Sequence, residues 1–327
     1  MLLDVVLRLG LVLMLTLKKL SIENLLGIAV KTIKILFCLF LLLSSTVDAE
    51  QISFSKQLID DQYVFKYQWL DHDNQTQSIN FALTKSALFD RFRMLKTYQS
   101  DFARKTIMQA VRRQLRKQPL NGAQAFFQQR SGEIVIQVKG LDDKKVALAY
   151  QKVKEIEQEA TTKYFKKNYY QLFTTHDQQT GIKVDHVNIA SDSVADFKVL
   201  KPIILDIVSI KHIRKVTNFV LSFVQSIPYS TLESRVTSSG AGFNPPAKLL
   251  WENQGDCDSK MALTATILRA LMPRINMTMI YIDQHAFIGI EIPANAGEMT
   301  LEYQGVNYLL GEPTGPALYP LGKLAPE

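Results

Sequence analysis

An α+β fold is what this 327-residue sequence predicts, and three observations predict it. Residues 52–88 alternate apolar and polar with the two-residue period of strands. Two later stretches, near 95–115 and 146–160, repeat apolar residues at three- and four-residue steps, the period of a helix face. Beyond residue 183 a helical region is followed by β-branched, strand-like sequence, and helices followed by strands suit an α+β arrangement. The length suits two domains, and 47% hydrophobic residues can supply their cores. No internal repeat or low-complexity stretch interrupts the chain.

The first 49 residues differ from the rest of the chain. Met1–Leu17 is largely apolar, Lys18 and Lys19 come next, and Ile35–Leu43 is an unbroken run of nine apolar residues. Lysines, a short apolar run and then small residues at Val47 and Ala49 read as a secretory signal cleaved after Ala49, with an uncleaved membrane anchor as the alternative. The expected location is therefore periplasmic or exported, with membrane proximity through this segment. Cys38 is a poor lipid acceptor because bulky Phe37 precedes it. Cleavage would remove Cys38 and leave Cys257 as the only thiol, so no internal disulfide could form. A lone thiol in an oxidising compartment is open to oxidation and stray pairing, which asks for a reason to keep it.

Charge is mild. Without residues 1–49, which hold five Lys/Arg and three Asp/Glu, 33 basic residues face 28 acidic ones, a net +5. Nine of the basic residues fall between Arg91 and Lys117. They could meet an anionic surface, although a solvated helix face accounts for them as well. No nucleic-acid motif accompanies them, so no nucleic-acid partner is expected.

Residues 50–175 are expected to form a small α+β domain. Tyr63, Phe65, Tyr67 and Trp69 alternate, as do Ile79, Phe81 and Leu83, and the polar turn Asp71–Gln75 between them predicts a hairpin. Leu95, Tyr98, Phe102, Ile107, Val111 and Leu115 share a helix face, with Pro119 after it. Ile134, Ile136 and Val138 predict a strand, and Val146, Tyr150, Val153, Ile156 and Ala160 a second helix. Nothing in this region speaks of chemistry. Polar Thr174–Lys183 is a candidate linker to a second domain over 176–327. There a helical region (194–226), a loop rich in Ser, Gly and Pro (230–246), a helix from Cys257 and strands from Met277 are expected.

Chemistry gathers in that second part. Gly255-Asp256-Cys257-Asp258 reads as a turn into a helix, with Asp256 a good N-cap and Pro273 ending the run. Cys257 in the first turn meets free N–H groups and the positive end of the helix dipole, which favour a thiolate. A nucleophile needs a base. His72 belongs to the hairpin turn, and His176, His186, His212 and His285 remain. His285 lies in strand-like Ile280–Ile292, where its ring can point at a neighbouring helix. Two acids could orient it: Asp283, two residues before it on the same strand face, or Glu312 at the end of a neighbouring strand.

From about Thr217 to Gly322 the sequence resembles the transglutaminase-like superfamily, and within it the bacterial transglutaminase-like cysteine peptidases. The resemblance rests on the helix ending Phe223-Val224-Gln225-Ser226-Ile227-Pro228-Tyr229, the Gly-Asp-Cys turn, His285-Ala286-Phe287 on a strand and Glu312-Pro313-Thr314 after the next. It implies a papain-like fold, with the cysteine helix packed on an antiparallel sheet carrying His and acid, and a Cys257, His285, Glu312 triad. Relatives usually carry aspartate where Glu312 stands. Gln225 falls where some relatives place an oxyanion-stabilising side chain. Some exported relatives bind calcium through acids flanking the cysteine, which would nominate Asp256 and Asp258, but Ser259 stands where they have a further acid. Helix capping is the plainer role for both aspartates. No other cofactor is expected, and no zinc-ligand spacing is present.

The expected function is an exported cysteine hydrolase acting on a protein or peptide of the cell envelope. An inactive binding or scaffold module is one alternative, and an amine-transferring transglutaminase or cell-wall peptide amidase another.

Overall fold

The structure, a computed structural model, describes residues 51–130, 133–174, 178–209, 212–234, 242–282 and 285–325. The expected signal or anchor (1–49), and with it Cys38, lies outside the described residues, as do His176 and Asp283. No helix among the described residues is long and apolar enough to cross a membrane.

The expected hairpin is present and is extended by one strand. β1 (Gln51–Ile59), β2 (Gln62–Leu70) and β3 (Thr76–Thr84) form an antiparallel meander in that order. Asp60 and Asp61 make the first turn, both with positive φ, which Asp tolerates better than most residues. Asp71 builds the second, its Oδ1 accepting from the backbone N–H groups of Asp73 and Gln75 at 2.9 Å each. Alternation then buries Phe65, Tyr67 and Trp69 of β2 beside Ile79, Phe81 and Leu83 of β3.

The middle of the chain is a smaller layer. After α1 (Lys85–Phe89), residues 90–99 run as turns and extended chain, and α2 begins only at Ser100 and ends at Lys117. Periodicity alone would start this helix at Leu95. The residues before Ser100 serve another purpose, because Phe92 and Leu95 pack outside any helix against a cluster of Ile189, Phe243 and Ala262. β4 (Ala123–Arg130) and β5 (Glu133–Gly140) form a hairpin against α3 (Asp143–Asn168), which also packs on α2. Asp142 caps α3 through Lys145 N–H at 2.8 Å. β6 (Tyr170–Thr174) and β7 (Thr180–Val184) pair antiparallel where a linker was expected.

Helices come next: α4 (His186–Phe197), α5 (Leu200–Ile207), α6 (Ile213–Ser226), α7 (Pro246–Glu252) and α8 (Cys257–Leu271). The last sheet comprises β8 (Met277–Ile282), β9 (His285–Ile290), β10 (Thr300–Tyr303) and β11 (Val306–Gly311), in the order 10-11-9-8 and antiparallel throughout. α8 touches α4, α5, α6, α7 and β9, so it is buried almost all round. A helix in that position is largely apolar all round, and Met261–Leu271 is so apart from Thr264, Thr266 and Arg269.

The chain is α+β with antiparallel sheets, as expected. Its core does not divide near residue 175. One hydrophobic cluster runs from Phe65–Leu88 through α6 and α8 to Leu309 and Leu321. Trp69 is the joint: fully buried, it donates Nε1–H to Ser222 Oγ at 3.0 Å and meets the rings of Phe219 and Phe223 at 5.3 and 5.2 Å. Replacing it, Trp69→Ala, is expected to destabilise the chain by about 3–5 kcal/mol. Because the core is shared, urea unfolding monitored by circular dichroism should keep one transition at a lower midpoint. Two separated transitions would contradict the shared core.

Candidate active site

Cys257 is the first residue of α8 and is half-buried, with a free thiol. Asp256 is the N-cap, its Oδ1 accepting from Ser259 N–H at 3.0 Å. The turn before it is clamped on both sides. Gly255 N–H donates to Pro228 O at 3.2 Å, and Ser230 N–H donates to Gly255 O at 3.1 Å. Glycine is needed there for space: a Cβ would lie 2.6 Å from Cδ1 of fully buried Leu249 on α7.

His285 opens β9, directly across from Ile282 at the end of β8. Glu312 comes just after β11, the neighbour of β9, and is 1% exposed. His285 Nδ1 and Glu312 Oε2 lie 3.7 Å apart, and both are buried atoms with no hydrogen-bond partner. Each is the other's nearest route to satisfaction, since a shift of less than about 1 Å would bring them within hydrogen-bond reach. Glu312 Oε1 is already held by Thr314 N–H at 3.0 Å. Glu312, one of the two acids open on sequence, is placed beside the ring, and Asp283 lies outside the described residues.

A residue not singled out by its sequence context joins these parts. Lys260, one turn along α8 from Cys257, is fully buried. Its Nζ donates to Ile227 O and to Thr314 O, carbonyls of two segments far apart in sequence. Burial pushes its pKa down to about 7, against the pull of Glu312, Cys257 and Asp256, which favour the charged form. The signal was available: Lys260 shares a helix face with Thr264 and Ile267, whose phase marks it as buried.

Gln225 does not fill the role the resemblance gave it. It is 1% exposed, and its Nε2 donates to Glu312 O at 2.5 Å and to Tyr319 O at 2.9 Å. With its amide hydrogens on backbone carbonyls, it has none for an oxyanion and acts as a brace for the acid loop. Gly315 lets that loop close: at φ +63, a Cβ would sit 2.3 Å from Gln225 O. Gln225 Oε1 faces His72 Nε2 at 3.2 Å, and burial lowers the pKa of that histidine. The hairpin turn, which carries no chemistry of its own, therefore reaches the back of the site.

On the other flank, Asp258 Oδ2 lies 3.7 Å from His186 Nε2, and His186 Nδ1 meets the Tyr281 hydroxyl at 2.9 Å. Lys183 Nζ sits 3.4 Å from the centre of the Tyr281 ring. Burial, with Lys183 adding to it, pushes His186 down to about 3, so the ring is neutral and its contact with Asp258 is no ion pair. His212 caps α6, outside this group.

The electrostatics reverse the expectation for the thiol. Burial first, then the carboxylates of Asp258 and Asp256, push Cys257 up to about 11, although backbone N–H groups at the helix start pull the other way. A dipole favours charge by under about 1 kcal/mol at a surface, and here desolvation and two acids outweigh it. The two aspartates beside the thiol have different surroundings. Asp256 is turned to its cap, while Asp258 faces a neutral imidazole and the Lys183 ammonium. Among the described residues no three His, Cys, Asp or Glu side chains converge on a metal position.

No family model, curated protein or solved structure matches the chain.

The charges set two expected outcomes. Asp258→Asn should lower the thiol pKa and raise the rate of iodoacetamide alkylation at about pH 8 by about 3- to 10-fold; an unchanged rate would remove Asp258 as a cause. Lys260 in the folded chain loses its proton near 7 instead of the ordinary 10.5, so between those values the unfolded chain holds more protons. The unfolding free energy of wild type should therefore rise relative to Lys260→Met as pH increases from 7 toward 10.5, by up to about 1.4 kcal/mol per pH unit. Denaturant titrations at about pH 7 and pH 9 measure the difference, and parallel curves would refute it.

Proposed function

We propose that this chain is a cysteine hydrolase of peptide or amide bonds, working through an acyl-enzyme on Cys257 with His285 as base and Glu312 as its orienting acid. The observation that carries the reading is the His285–Glu312 pair, two orphaned buried atoms 3.7 Å apart. It lies on the sheet against which the cysteine helix packs. That arrangement supports a papain-like or transglutaminase-like site, in keeping with the sequence resemblance.

With Nδ1 turned to Glu312, Nε2 is the ring nitrogen left to take the thiol proton. The nucleophile starts as a neutral thiol. Its sulfur attacks the carbonyl carbon while its proton passes to Nε2, and the carbonyl electron pair moves onto oxygen. Glu312 stabilises the imidazolium that forms. The oxyanion is received by backbone N–H groups at the first turn of α8, because Gln225 is engaged elsewhere. Collapse expels the amine with the proton from His285, and water, activated by the same ring, releases the acid. An amine in place of water would give cross-linking. The signal-like residues 1–49 support a substrate in the cell envelope.

One observation favours a second reading. A thiol held near 11 suits a transglutaminase-like binding or scaffold module without activity. The two readings separate in one experiment. Under the hydrolase reading the wild type takes up an electrophilic peptide probe and hydrolyses a peptide library. Cys257→Ala and His285→Ala should each lose more than about 10³-fold in hydrolysis, and Glu312→Gln about 10²–10⁴-fold. Hydrolysis that survives Cys257→Ala, or a wild type that neither labels nor hydrolyses, would sink the catalytic reading.

A further inference from the structure

A cavity of about 520 Å³ opens between the 89–98 segment, the β6–β7 hairpin and α7. Cys257, His285 and Glu312 do not line it. Its volume is in the range of small-molecule sites and well above that of a bare inorganic anion.

Its walls have two characters. One is aromatic and held in place. Trp251 meets Phe89 edge-to-face at 5.1 Å and Tyr63 at 4.6 Å, and Lys56 Nζ covers its ring at 3.8 Å. Phe92, opposite, packs on Tyr169 at 5.0 Å. The other is cationic. Arg93, Lys96, Lys183 and Lys248 line the cavity against a single carboxylate, Glu252. Glu252 is already engaged, by Lys248 at 3.6 Å and by Asn244 Nδ2 at 2.9 Å. Lys183 lies over Tyr281. Arg93 and Lys96 have no ion-pair partner among the described residues, and both are exposed. An aromatic wall beside two unpaired cations complements a flat apolar body that carries one anionic group.

We infer that this cavity is a binding site for a small amphipathic anion, an aromatic ring system bearing a carboxylate, sulfonate or phosphate. The rings lie against Trp251 and Phe92, and the anion lies between Arg93 and Lys96. The site is separate from the proposed catalytic group and does not rest on it. It does adjoin that group: α7 runs from the cavity wall into the Cys257 turn, and Asn244 ties Glu252 to Ser259, donating its backbone N–H to Ser259 Oγ at 2.8 Å.

The probe is 8-anilinonaphthalene-1-sulfonate, with N-phenyl-1-naphthylamine as the same ring system without the charge. Titrated into the folded protein, the sulfonate should bind at one saturable site, quench Trp251 and bind at least about 10-fold tighter than the uncharged amine. Arg93→Ser/Lys96→Ser, at exposed positions, should weaken the sulfonate by about 10-fold and leave the amine unchanged. Trp251→Phe should abolish the quenching, and Cys257→Ala should leave binding intact. Equal affinity for the two probes, an unaffected double variant, or binding that leaves Trp251 fluorescence unchanged would each overturn the inference. If the double variant fails to fold, quenching of wild type by the sulfonate at rising salt decides: affinity must fall as Arg93 and Lys96 are screened.

Discussion

The Lys260 ammonium sits at 0% exposure between Ile227 O and Thr314 O. Those two carbonyls belong to segments far apart in sequence, one leaving α6 and one just past Glu312. Lys260 itself is on α8, a turn from Cys257. A single buried cation thus fixes the three pieces of chain that must agree for the site to exist. Burying a charge is tolerated only when it is hydrogen-bonded and has counter-charge nearby. Glu312 and Asp256 supply the counter-charge, and the two carbonyls supply the bonds. The cost is a lysine poised near neutrality. The benefit is that the acid loop and the cysteine turn cannot drift apart without stranding an ammonium in the core.

Gln225 and the N-terminal meander extend the same logic outward. The Gln225 amide fastens the loop at Glu312 O and Tyr319 O, and its own oxygen is met by His72 from the β2–β3 turn. The turn is in turn anchored by Trp69 in the core over α6. A residue range that carries no chemistry of its own is therefore a structural wall of the candidate site. This explains why the core does not part where polar composition falls near residue 175: the boundary in composition is a surface hairpin, β6–β7, and the burial runs beneath it.

What the sequence made legible was local. Alternation at Tyr63–Trp69 and Ile79–Leu83 gave the strands, because a period of two depends only on neighbours. The Gly255–Cys257 turn was readable because caps and close-approach glycines act within a few residues. Glu312 and Asp283 could both be nominated from their strand positions relative to His285, which needed no coordinates. The failures were all long-range. Lys260 needed its carbonyl partners at Ile227 and Thr314 to be seen as anything but an odd lysine. The carbonyls that engage Gln225 lie some ninety residues away and left no mark in its local sequence. His72 was assigned only to its hairpin turn, because the surface it meets comes from α6. The start of α2 was placed too early because Phe92 and Leu95 are apolar for a contact with Phe243, and periodicity alone cannot tell that from a helix face.

The thiol shows how competing fields decide a site's character. Helix-start amides favour its anion, while burial and the carboxylates at 256 and 258 oppose it, and the opposing effects win. A neutral resting thiol is a poor target for chance oxidation, since susceptibility follows thiolate character. Under the catalytic reading it also sets the order of events. No preformed ion pair waits for substrate, so the proton must leave for His285 as the carbonyl arrives, and the Glu312 carboxylate matters most at that moment, when an imidazolium appears beside it. The 3.7 Å separation of the pair leaves room for that contact to tighten when the imidazolium forms.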